Sequence, residues 1–353
     1  MRRPSSLAGQ LLARAAASLD RAVTLAVRVT SAEPEDEPAL GSGHESRVRA
    51  LRGILARHAE LSLEHFYPEP RSIEPSLRDR GSTVPGRART DLAWPSVEHT
   101  FLPELSAAYF RTLENRVAIA RLLGRGAPRP VAILIHGYML GRLSVEEHVW
   151  PIARLDALGF DVAFYVLPFH AARADPRRSG RPEFPGRDPR FANEGFRQAV
   201  TELRELVAWL LRRGHASVGV MGMSLGGYTA ALAATVSAEL AFAVPIIPLA
   251  SLPDFAFEQG NLAEAAESSA LEHRLLEEVH AVVSPVHRAL LIPQERVLVV
   301  GAKADRITPL RHARRLAAHF HAPLVTFPGG HLIQLGRGAA FDSVAELLTR
   351  VRG

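Results

Sequence analysis

A serine stands in a glycine-flanked pentapeptide of the G-x-S-x-G form, Gly222 to Gly226. The apolar run Val218 to Met221 precedes it, and the helix-like run Leu225 to Thr235 follows. A sharp strand-to-helix turn brings the two glycine positions so close together that side chains there would collide. The pattern therefore predicts that Ser224 is held exposed in a strained turn, as a nucleophile requires.

A serine hydroxyl needs a base to remove its proton, and the base needs a carboxylate to fix its tautomer. His331 closes the motif Phe327 to His331, directly after the last predicted strand. Asp305 follows the penultimate predicted strand, and one helix and one strand fit between it and His331. Both loops should then reach the same sheet edge, so we predict His331 as the base and Asp305 as the acid. Asp254 is the alternative acid.

Acyl transfer also needs two backbone N–H donors aimed at the developing oxyanion. One comes from the residue after the nucleophile, which is Leu225 here. The other is expected from the motif His136 to Gly141, which directly follows the predicted strand Val131 to Ile135. The pattern predicts the amide of Tyr138 for this role. His136 is predicted at the pocket, where bracing the loop is its expected task.

Two further side chains follow a predicted strand at the edge where active-site loops gather. His170 and Arg173 come just after the strand Asp161 to Leu167. We predict that both border the substrate pocket, where the arginine could bind a carboxylate or a phosphate. A structural role, holding the long loop that follows, is the alternative for both.

The segment Leu252 to Leu290 lies between two predicted strands and could cover Ser224 as a helical lid. Apolar residues recur there at spacings of three and four, which predicts one apolar helix stripe. Leu275 is the residue we predict to line an apolar acyl pocket, and packing on the domain without touching substrate is the alternative. The stripe consists of Leu271, Leu275, Val279, Val282 and Val286.

Short apolar runs alternate with amphipathic helices after about residue 100, which predicts an α/β fold with a mostly parallel sheet covered by helices on both faces. The predicted strands are Val131 to His136, Asp161 to Leu167, Ser217 to Met223, Leu240 to Ile247, Arg296 to Gly301 and Pro323 to Phe327, with a weaker candidate at Arg116 to Leu122. The predicted helices are Val145 to Ala157, Asn193 to Arg213, Leu225 to Val236, Leu310 to Phe320 and Ala340 to Val351.

The first 95 residues form a predicted helical appendage to a main domain that spans residues 96–353. Helices are expected near residues 1–30 and from Ser46 to Glu64. The stretch Tyr67 to Pro95 is rich in proline, glycine and arginine, so irregular backbone is expected there. The first of these helices is arginine-rich and poor in acids, a pattern that fits packing on the domain as well as peripheral contact with a membrane surface.

Composition excludes several classes of protein. The chain has 353 residues, a formal net charge of +5 and no cysteine, so thiolate nucleophiles, disulfides and cysteine-ligated zinc are ruled out. Lys303 is the single lysine, and the arginines are scattered without a nucleic-acid reader motif. We expect no nucleic-acid partner, no metal and no cofactor, because zinc, ATP and dinucleotide motifs are absent as well. No apolar run is long enough to span a membrane, and a cytoplasmic location is expected.

From about residue 100 onward the chain resembles the α/β-hydrolase superfamily, whose chain order of nucleophile, acid and base matches Ser224, Asp305 and His331. The string Leu167 to Arg173 and the motif around His331 resemble a bacterial branch related to the eukaryotic α/β-hydrolase domain-containing proteins. The resemblance implies cofactor-free hydrolysis of carboxylic esters or thioesters, with a small-molecule or lipid-like ester as substrate.

The residues leave two other functions open. An acyltransferase would use the same three residues with an acceptor other than water. A binding protein would keep the fold without catalysis, although no motif here is broken. The oligomeric state, the natural ester and the task of the first 95 residues are not determined by these patterns.

Overall fold

The computed structural model describes residues 20, 40–41, 43–84, 86–178 and 181–352. Within these ranges, no helix is both long enough and apolar enough to cross a membrane. The first predicted helix lies outside the described residues, apart from Asp20.

A single nine-stranded sheet forms the centre of the fold, in the order β1-β2-β3-β5-β4-β6-β7-β8-β9. The strands from β4 to β9 pair in parallel, whereas β1, β2 and β3 are joined in antiparallel fashion and β3 is antiparallel to β5. The predicted mostly parallel sheet is therefore confirmed. The strands are β1 Ser76–Val84, β2 Arg87–Pro95, β3 Val117–Gly124, β4 Val131–Ile135, β5 Asp161–Tyr165, β6 Val218–Met223, β7 Ala243–Ile246, β8 Val299–Ala302 and β9 Leu324–Phe327.

Helices cover both faces of this sheet, as the apolar runs predict for parallel strands buried on two sides. The α-helices with assigned bounds are α1 His44–Glu60, α2 Ser106–Tyr109, α3 Leu143–Val149, α4 Ile152–Ala157, α5 Pro189–Arg212, α6 Leu225–Ala233, α7 Leu252–Glu258, α8 Ala266–His280, α9 Leu310–His319 and α10 Arg337–Arg352. Short 3₁₀ turns occur at Leu63–His65, Pro103–Leu105, Leu113–Arg116, Ala171–Arg173, Ala281–Val283, Pro285–His287 and Gln294–Arg296.

Alternate residues of each central strand enter two different cores. In β4, Ile133 packs into the core that α5, α6 and α9 cover, while Ala132 and Leu134 pack into the core covered by α4 and α10. Every residue of β4, β5 and β6 is buried. Strands buried on both sides end in loops that reach solvent only at the sheet edges, so polar residues on those loops are brought together there.

The expectation of irregular backbone is wrong for residues 76–95, which form the hairpin β1–β2 at the edge of the sheet. Strand β2 pairs with β3 over eight residues, from Ala88 opposite Gly124 to Pro95 opposite Val117. The apolar alternation of β2 is short, since Leu92 and Trp94 are its buried large apolar side chains. The hairpin is specified by pairing with a distant strand, which local composition does not reveal.

Helices α3 and α4 take the place of one predicted helix, because the chain leaves helical geometry at Trp150 and Pro151. A proline in a helix interior removes a backbone donor and clashes with the preceding turn. The helix ends at Val149, and a second helix begins at Ile152.

The segment between β7 and β8 contains α7, α8 and short turns, and α8 packs against α1. Leu275 and Val279 of α8 share a third apolar cluster with side chains of α1. Glu272 reinforces this contact, since its carboxylate lies 2.7 Å from the Nδ1 atom of His44 and 2.9 Å from the Arg47 guanidinium. The apolar partners from α1 are Val48, Leu51 and Ile54.

Candidate active site

The turn between β6 and α6 holds Ser224 in a strained backbone conformation, with φ of 56° and ψ of −115°. A side chain at Gly222 would overlap the carbonyl oxygen of Gly226, and one at Gly226 would overlap that of Ile135. The two glycines therefore permit the close approach of strand, turn and helix. Ser224 is left half-buried at the carboxyl edge of the sheet.

The structure brings Ser224, His331 and Asp305 into one hydrogen-bonded chain. The Ser224 Oγ atom lies 2.9 Å from His331 Nε2, and His331 Nδ1 lies 2.8 Å from Asp305 Oδ2. A carboxylate can only accept, so Nδ1 carries the proton and Nε2 offers its lone pair to the serine hydroxyl. This is the tautomer in which a histidine can take a proton from Ser224.

Thr308 supports the acid and was not singled out by the sequence. Its hydroxyl lies 3.0 Å from Asp305 Oδ2 and 3.0 Å from His331 Nδ1. The backbone N–H groups of Ile307 and Thr308 both donate to Asp305 Oδ1, at 2.9 and 2.8 Å. A threonine three residues after an aspartate is the local signal, because such side chains often hydrogen-bond within a turn. The carboxylate of Asp305 is thereby fixed in one orientation.

The loop after β4 passes directly beside the nucleophile. A side chain at Gly137 would come within 3.5 Å of Ser224 Cβ, and Tyr138 is the next residue. Leu225 is the first residue of α6, so its N–H is among those that helix geometry leaves without an intrahelical acceptor. The two predicted donor residues thus flank Ser224 on separate elements.

His136 lies behind this loop and is buried with both ring nitrogens engaged. Its Nδ1 atom is 2.7 Å from the carbonyl oxygen of Gly137, and its Nε2 atom accepts the backbone N–H of Leu167 at 3.0 Å. Burial lowers the pKa of His136 to about 4. A neutral ring that joins the loops after β4 and β5 braces them, in line with the bracing task expected from the sequence.

His170 is also buried rather than open to the site. Its Nδ1 atom lies 2.8 Å from the carbonyl oxygen of Pro168, and its ring packs against those of His136 and Tyr138, with centroids 5.1 and 5.8 Å away. Burial and the neighbouring His136 hold its pKa well below the ordinary histidine value. His170 therefore packs against the loop that carries Tyr138 and is itself shielded from solvent.

Arg173 does not lie at the pocket, contrary to the position expected from its place in the chain. Its side chain is 0% exposed and forms a two-pronged ion pair with Glu202 at 2.7 and 2.8 Å. Burial opposes its charge, but the Glu202 carboxylate and the Tyr165 hydroxyl raise its pKa above the usual value. Its guanidinium also donates to the carbonyl oxygens of Val166 and Asn115. The structural alternative fits this arrangement, because a side chain sealed in the core cannot bind substrate.

Leu275 and Asp254 are likewise engaged away from Ser224. Leu275 packs against α1, which fits the alternative that α8 packs on the domain without touching substrate. Asp254 lies on α7, where its Oδ1 atom is 2.9 Å from His273 Nε2 and its other oxygen pairs with Arg315. Asp305, not Asp254, is the carboxylate beside His331.

One group of potential metal ligands was found among the described residues, and it is not at this site. The ligand atoms of Asp254, His273 and Glu277 lie within 4.8 Å of one another. Arg315 pairs with both carboxylates of the group. The cation that neutralises these acids is therefore an arginine, and this cluster is an ion-pair network between α7, α8 and α9.

Large apolar side chains are exposed on the two loops that flank Ser224. Three belong to the loop after β4, and three follow His331. Apolar surface clustered around a reactive group is typical of a binding surface for an apolar partner or substrate. These six residues, which we call the apolar rim, are Tyr138, Met139, Leu140, Leu332, Ile333 and Leu335.

A protein-family model described as alpha/beta hydrolase domain containing 18 matches residues 196–311. This range includes most of α5, the turn that carries Ser224, and the loop of Asp305. Two uncharacterized proteins from strains of Mycobacterium tuberculosis are each 32% identical over 229 residues, which is 62% of this chain and 54% of theirs. The chain thus spans about half the length of the curated relatives it matches.

Solved esterase structures share the fold at low sequence identity. An acetyl xylan esterase from Thermoanaerobacterium superposes with a TM-score of 0.56 at 16% identity, covering 86% of this chain and 94% of its own. One from Paenibacillus gives 0.56 at 14%, covering 88% and 96%. A cold-adapted esterase from an Arctic intertidal metagenomic library gives 0.51 at 13%, covering 78% and 98%. Together with the sheet order, these likenesses show that the chain has the α/β-hydrolase fold. Over residues 196–311 it is similar to the family described as alpha/beta hydrolase domain containing 18.

Proposed function

We propose that this protein is a serine hydrolase that cleaves carboxylic esters through an acyl-enzyme on Ser224. The observation that carries the proposal is the hydrogen-bonded chain from Ser224 through His331 to Asp305, built on a strained strand-to-helix turn. Backbone strain of this kind costs about 1–3 kcal/mol and persists where function requires it. A half-buried serine whose hydroxyl lies beside the unprotonated Nε2 atom of a histidine supports nucleophilic catalysis.

The first half of the proposed reaction forms the acyl-enzyme. His331 Nε2 takes the Ser224 hydroxyl proton while Oγ forms a bond to the ester carbonyl carbon, and the carbonyl oxygen becomes an oxyanion. The amides of Leu225 and Tyr138 are proposed to donate to that oxyanion. The imidazolium, stabilised by Asp305, then gives its proton to the alkoxide oxygen as the carbon–oxygen bond of the ester breaks.

The second half returns the enzyme to its starting state. Water replaces the departed alcohol, and His331 accepts one of its protons while the oxygen attacks the acyl carbon. Collapse of the second tetrahedral intermediate breaks the bond to Ser224 Oγ, which recovers a proton from the imidazolium. The products are one alcohol and one carboxylic acid, and no cofactor enters the balance.

The apolar rim supports an ester with an apolar acyl or alcohol group as substrate. Each methylene buried against such a surface favours binding by up to about 0.8 kcal/mol. The similar structures are named as esterases, two of them acetyl xylan esterases. Lipid-like esters and thioesters remain within the proposed class.

Labelling by a fluorophosphonate probe tests the proposal most directly, because the probe forms a bond only with an activated serine. We expect stoichiometric labelling of the wild type and none of Ser224→Ala. The same substitution should lower kcat for a simple aryl ester on the order of 10⁴-fold or more, since the residues of a triad act as a unit. The fold should be retained, as judged by circular dichroism, because only one hydroxyl is deleted.

Ser237→Ala is the matched control, since Ser237 is a buried serine just beyond the C-terminal end of α6 and has a carboxylate partner, Glu239. This variant should label and turn over like the wild type. If purified Ser224→Ala kept most of the esterase activity, or if the wild type did not label, the proposal would be wrong.

A further inference from the structure

The N-terminal segment contributes one described residue to the region of the triad, and that residue is a buried aspartate. The side chain of Asp20 is 0% exposed. Its Oδ2 atom accepts the backbone N–H of His331 at 2.8 Å and that of Arg306 at 3.3 Å. Its Oδ1 atom accepts the backbone N–H of Leu332 at 3.1 Å. One carboxylate therefore binds the loop of the proposed base and the residue next to the proposed acid.

Nearer the sheet, the two loops are joined directly by backbone hydrogen bonds. Lys303 N donates to the carbonyl oxygen of Phe327 at 2.9 Å, and Ala304 N donates to that of Gly329 at 3.0 Å. Beyond these bonds the loops carry Asp305 and His331 outward. The contact with Asp20 begins where this backbone pairing ends, so it extends the connection between the loops to the residues that perform the proposed proton transfer.

Burial of a carboxylate is costly unless donors replace the water it loses. Here the donors include three backbone N–H groups, and hydrogen bonds to an ionised acceptor are roughly twice as strong as neutral ones. Each of these N–H groups belongs to a residue in, or adjacent to, the proposed triad. The stabilisation of Asp20 in the core is therefore coupled to one backbone geometry of those loops.

We propose that Asp20 is a positioning residue, which holds the backbone of His331 and the loop of Asp305 in the geometry that proton transfer requires. The inference rests on the proposed function and deepens it, because it makes part of the N-terminal segment a component of the active site. Asp20 touches neither substrate nor reacting atoms in this account and acts through the backbone of His331. A displacement on the order of 1 Å at a catalytic group can cost about 100-fold in rate.

Asp20→Asn is the sharpest test, because the side chain keeps its shape but loses its charge and one acceptor. The amide oxygen can face either Leu332 N or the pair formed by His331 N and Arg306 N. In both orientations at least one backbone donor meets the NH₂ group, so the loops must shift. We expect kcat for a neutral aryl ester to fall about 10-fold to 100-fold with KM unchanged. The rate of fluorophosphonate labelling should fall in parallel.

Asp188→Asn is the matched control. Asp188 is also a buried aspartate, and its side chain accepts a backbone N–H, that of Arg190 at the start of α5. Both variants should lower the melting temperature, but only Asp20→Asn should change kcat. Asp20→Ser, which is smaller and cannot clash, is the second variant if Asp20→Asn does not fold, and its kcat should also fall with KM unchanged.

The outcome separates this inference from the proposed function. If Ser224→Ala abolishes turnover and labelling while folded Asp20→Asn and Asp20→Ser keep the wild-type kcat, Asp20 is structural only and the inference is overturned. If kcat and KM change equally in Asp20→Asn and Asp188→Asn, the effect is general destabilisation and the inference is again overturned. Absence of fluorophosphonate labelling in the wild type would instead contradict the proposed function itself.

Discussion

Two hydrogen-bonded clusters, each with a cation-forming side chain beside a carboxylate, differ in their access to solvent. The triad cluster, which contains Ser224, His331 and Asp305, opens at the sheet edge through a half-buried serine. The buried arginine network centres on Arg173 and Glu202, both 0% exposed at the side chain. Further members of that network are Ser96, Tyr165 and Gln198, each hydrogen-bonded to Glu202.

Residue type and position after a strand do not by themselves make a reactive site. Each cluster contains a residue from a loop that follows a parallel strand, and each pairs a cation-forming side chain with a carboxylate. The Glu202 carboxylate is saturated by donors from four side chains, including both prongs of Arg173. Ser224 instead has a strained backbone and an open side, which is where a substrate could enter.

The largest expected effect is a loss of kcat when the triad cluster is altered. Asp305→Asn should lower kcat about 10⁴-fold, because an amide no longer selects the tautomer in which His331 accepts a proton. The free energy of unfolding should change much less than the activation free energy. Asp254→Asn is the control, since its partners are His273 and Arg315. The measurement is kcat for an aryl ester in both variants. A larger loss of kcat in Asp254→Asn than in Asp305→Asn would mean that the acid is misassigned.

The opposite pattern is expected for the buried arginine network. Arg173→Met leaves Glu202 buried without its cation, which should lower the free energy of unfolding by about 3–5 kcal/mol. Urea denaturation measures this loss, and kcat/KM of the folded variant should stay near the wild-type value for neutral and anionic esters alike.

The double variant Arg173→Met/Glu202→Gln provides the control for this prediction. It removes both charges, so part of the lost stability should return. A selective loss of anionic esters in Arg173→Met, without a loss of stability, would contradict the assignment of Arg173 to the core and favour a binding role instead.

A smaller effect concerns His136, whose ring joins the loops after β4 and β5. Burial lowers its pKa to about 4 in the folded state, whereas the pKa of an unfolded histidine is about 6.5. Between these two pKa values the unfolded chain binds more protons than the folded protein. The folded state is therefore most stable, with respect to this histidine, above about pH 6.5, and that stability is lost as the pH falls towards 4. The contribution amounts to about 3 kcal/mol.

Urea denaturation from pH 7 to pH 4 measures this dependence. His136→Gln, whose amide oxygen can still accept the backbone N–H of Leu167, should show a shallower loss of stability than the wild type. The exposed His148 provides the control, because His148→Gln should keep the wild-type slope. Equal slopes for all three proteins would show that His136 is not buried in its neutral form.

Much of the fold was predictable because its signals are local. Apolar runs such as Val131 to Ile135 indicate strands buried on both faces, and the structure has a strand with those bounds. The pair of glycines around Ser224 indicates that the backbone is too crowded there for side chains, and the structure has the predicted strand-to-helix turn. The roles assigned to the triad stay predictions, although the three side chains do meet.

The positions that were missed depend on partners far away in the chain. The hairpin β1–β2 is specified by pairing with β3, and the burial of Leu275 depends on α1, more than 200 residues earlier. Arg173 follows a strand as a pocket residue would, but Glu202 lies opposite it on α5 and draws it into the core. No local sequence pattern indicates whether a charged residue that follows a strand will be buried in the core or exposed at a pocket.

Local sequence patterns specify the sheet of buried strands, the sharp turn at Ser224 and the chain order of Ser224, Asp305 and His331, because each is encoded by neighbouring residues. Which polar groups meet solvent, and which form hydrogen bonds with one another, depends on how the whole chain packs. Asp20 illustrates the difference, since its carboxylate accepts the N–H of a residue 311 positions away. Burial and hydrogen-bond partnership are properties of the packed chain, and hydrogen bonding decides whether a buried charge can be tolerated at all.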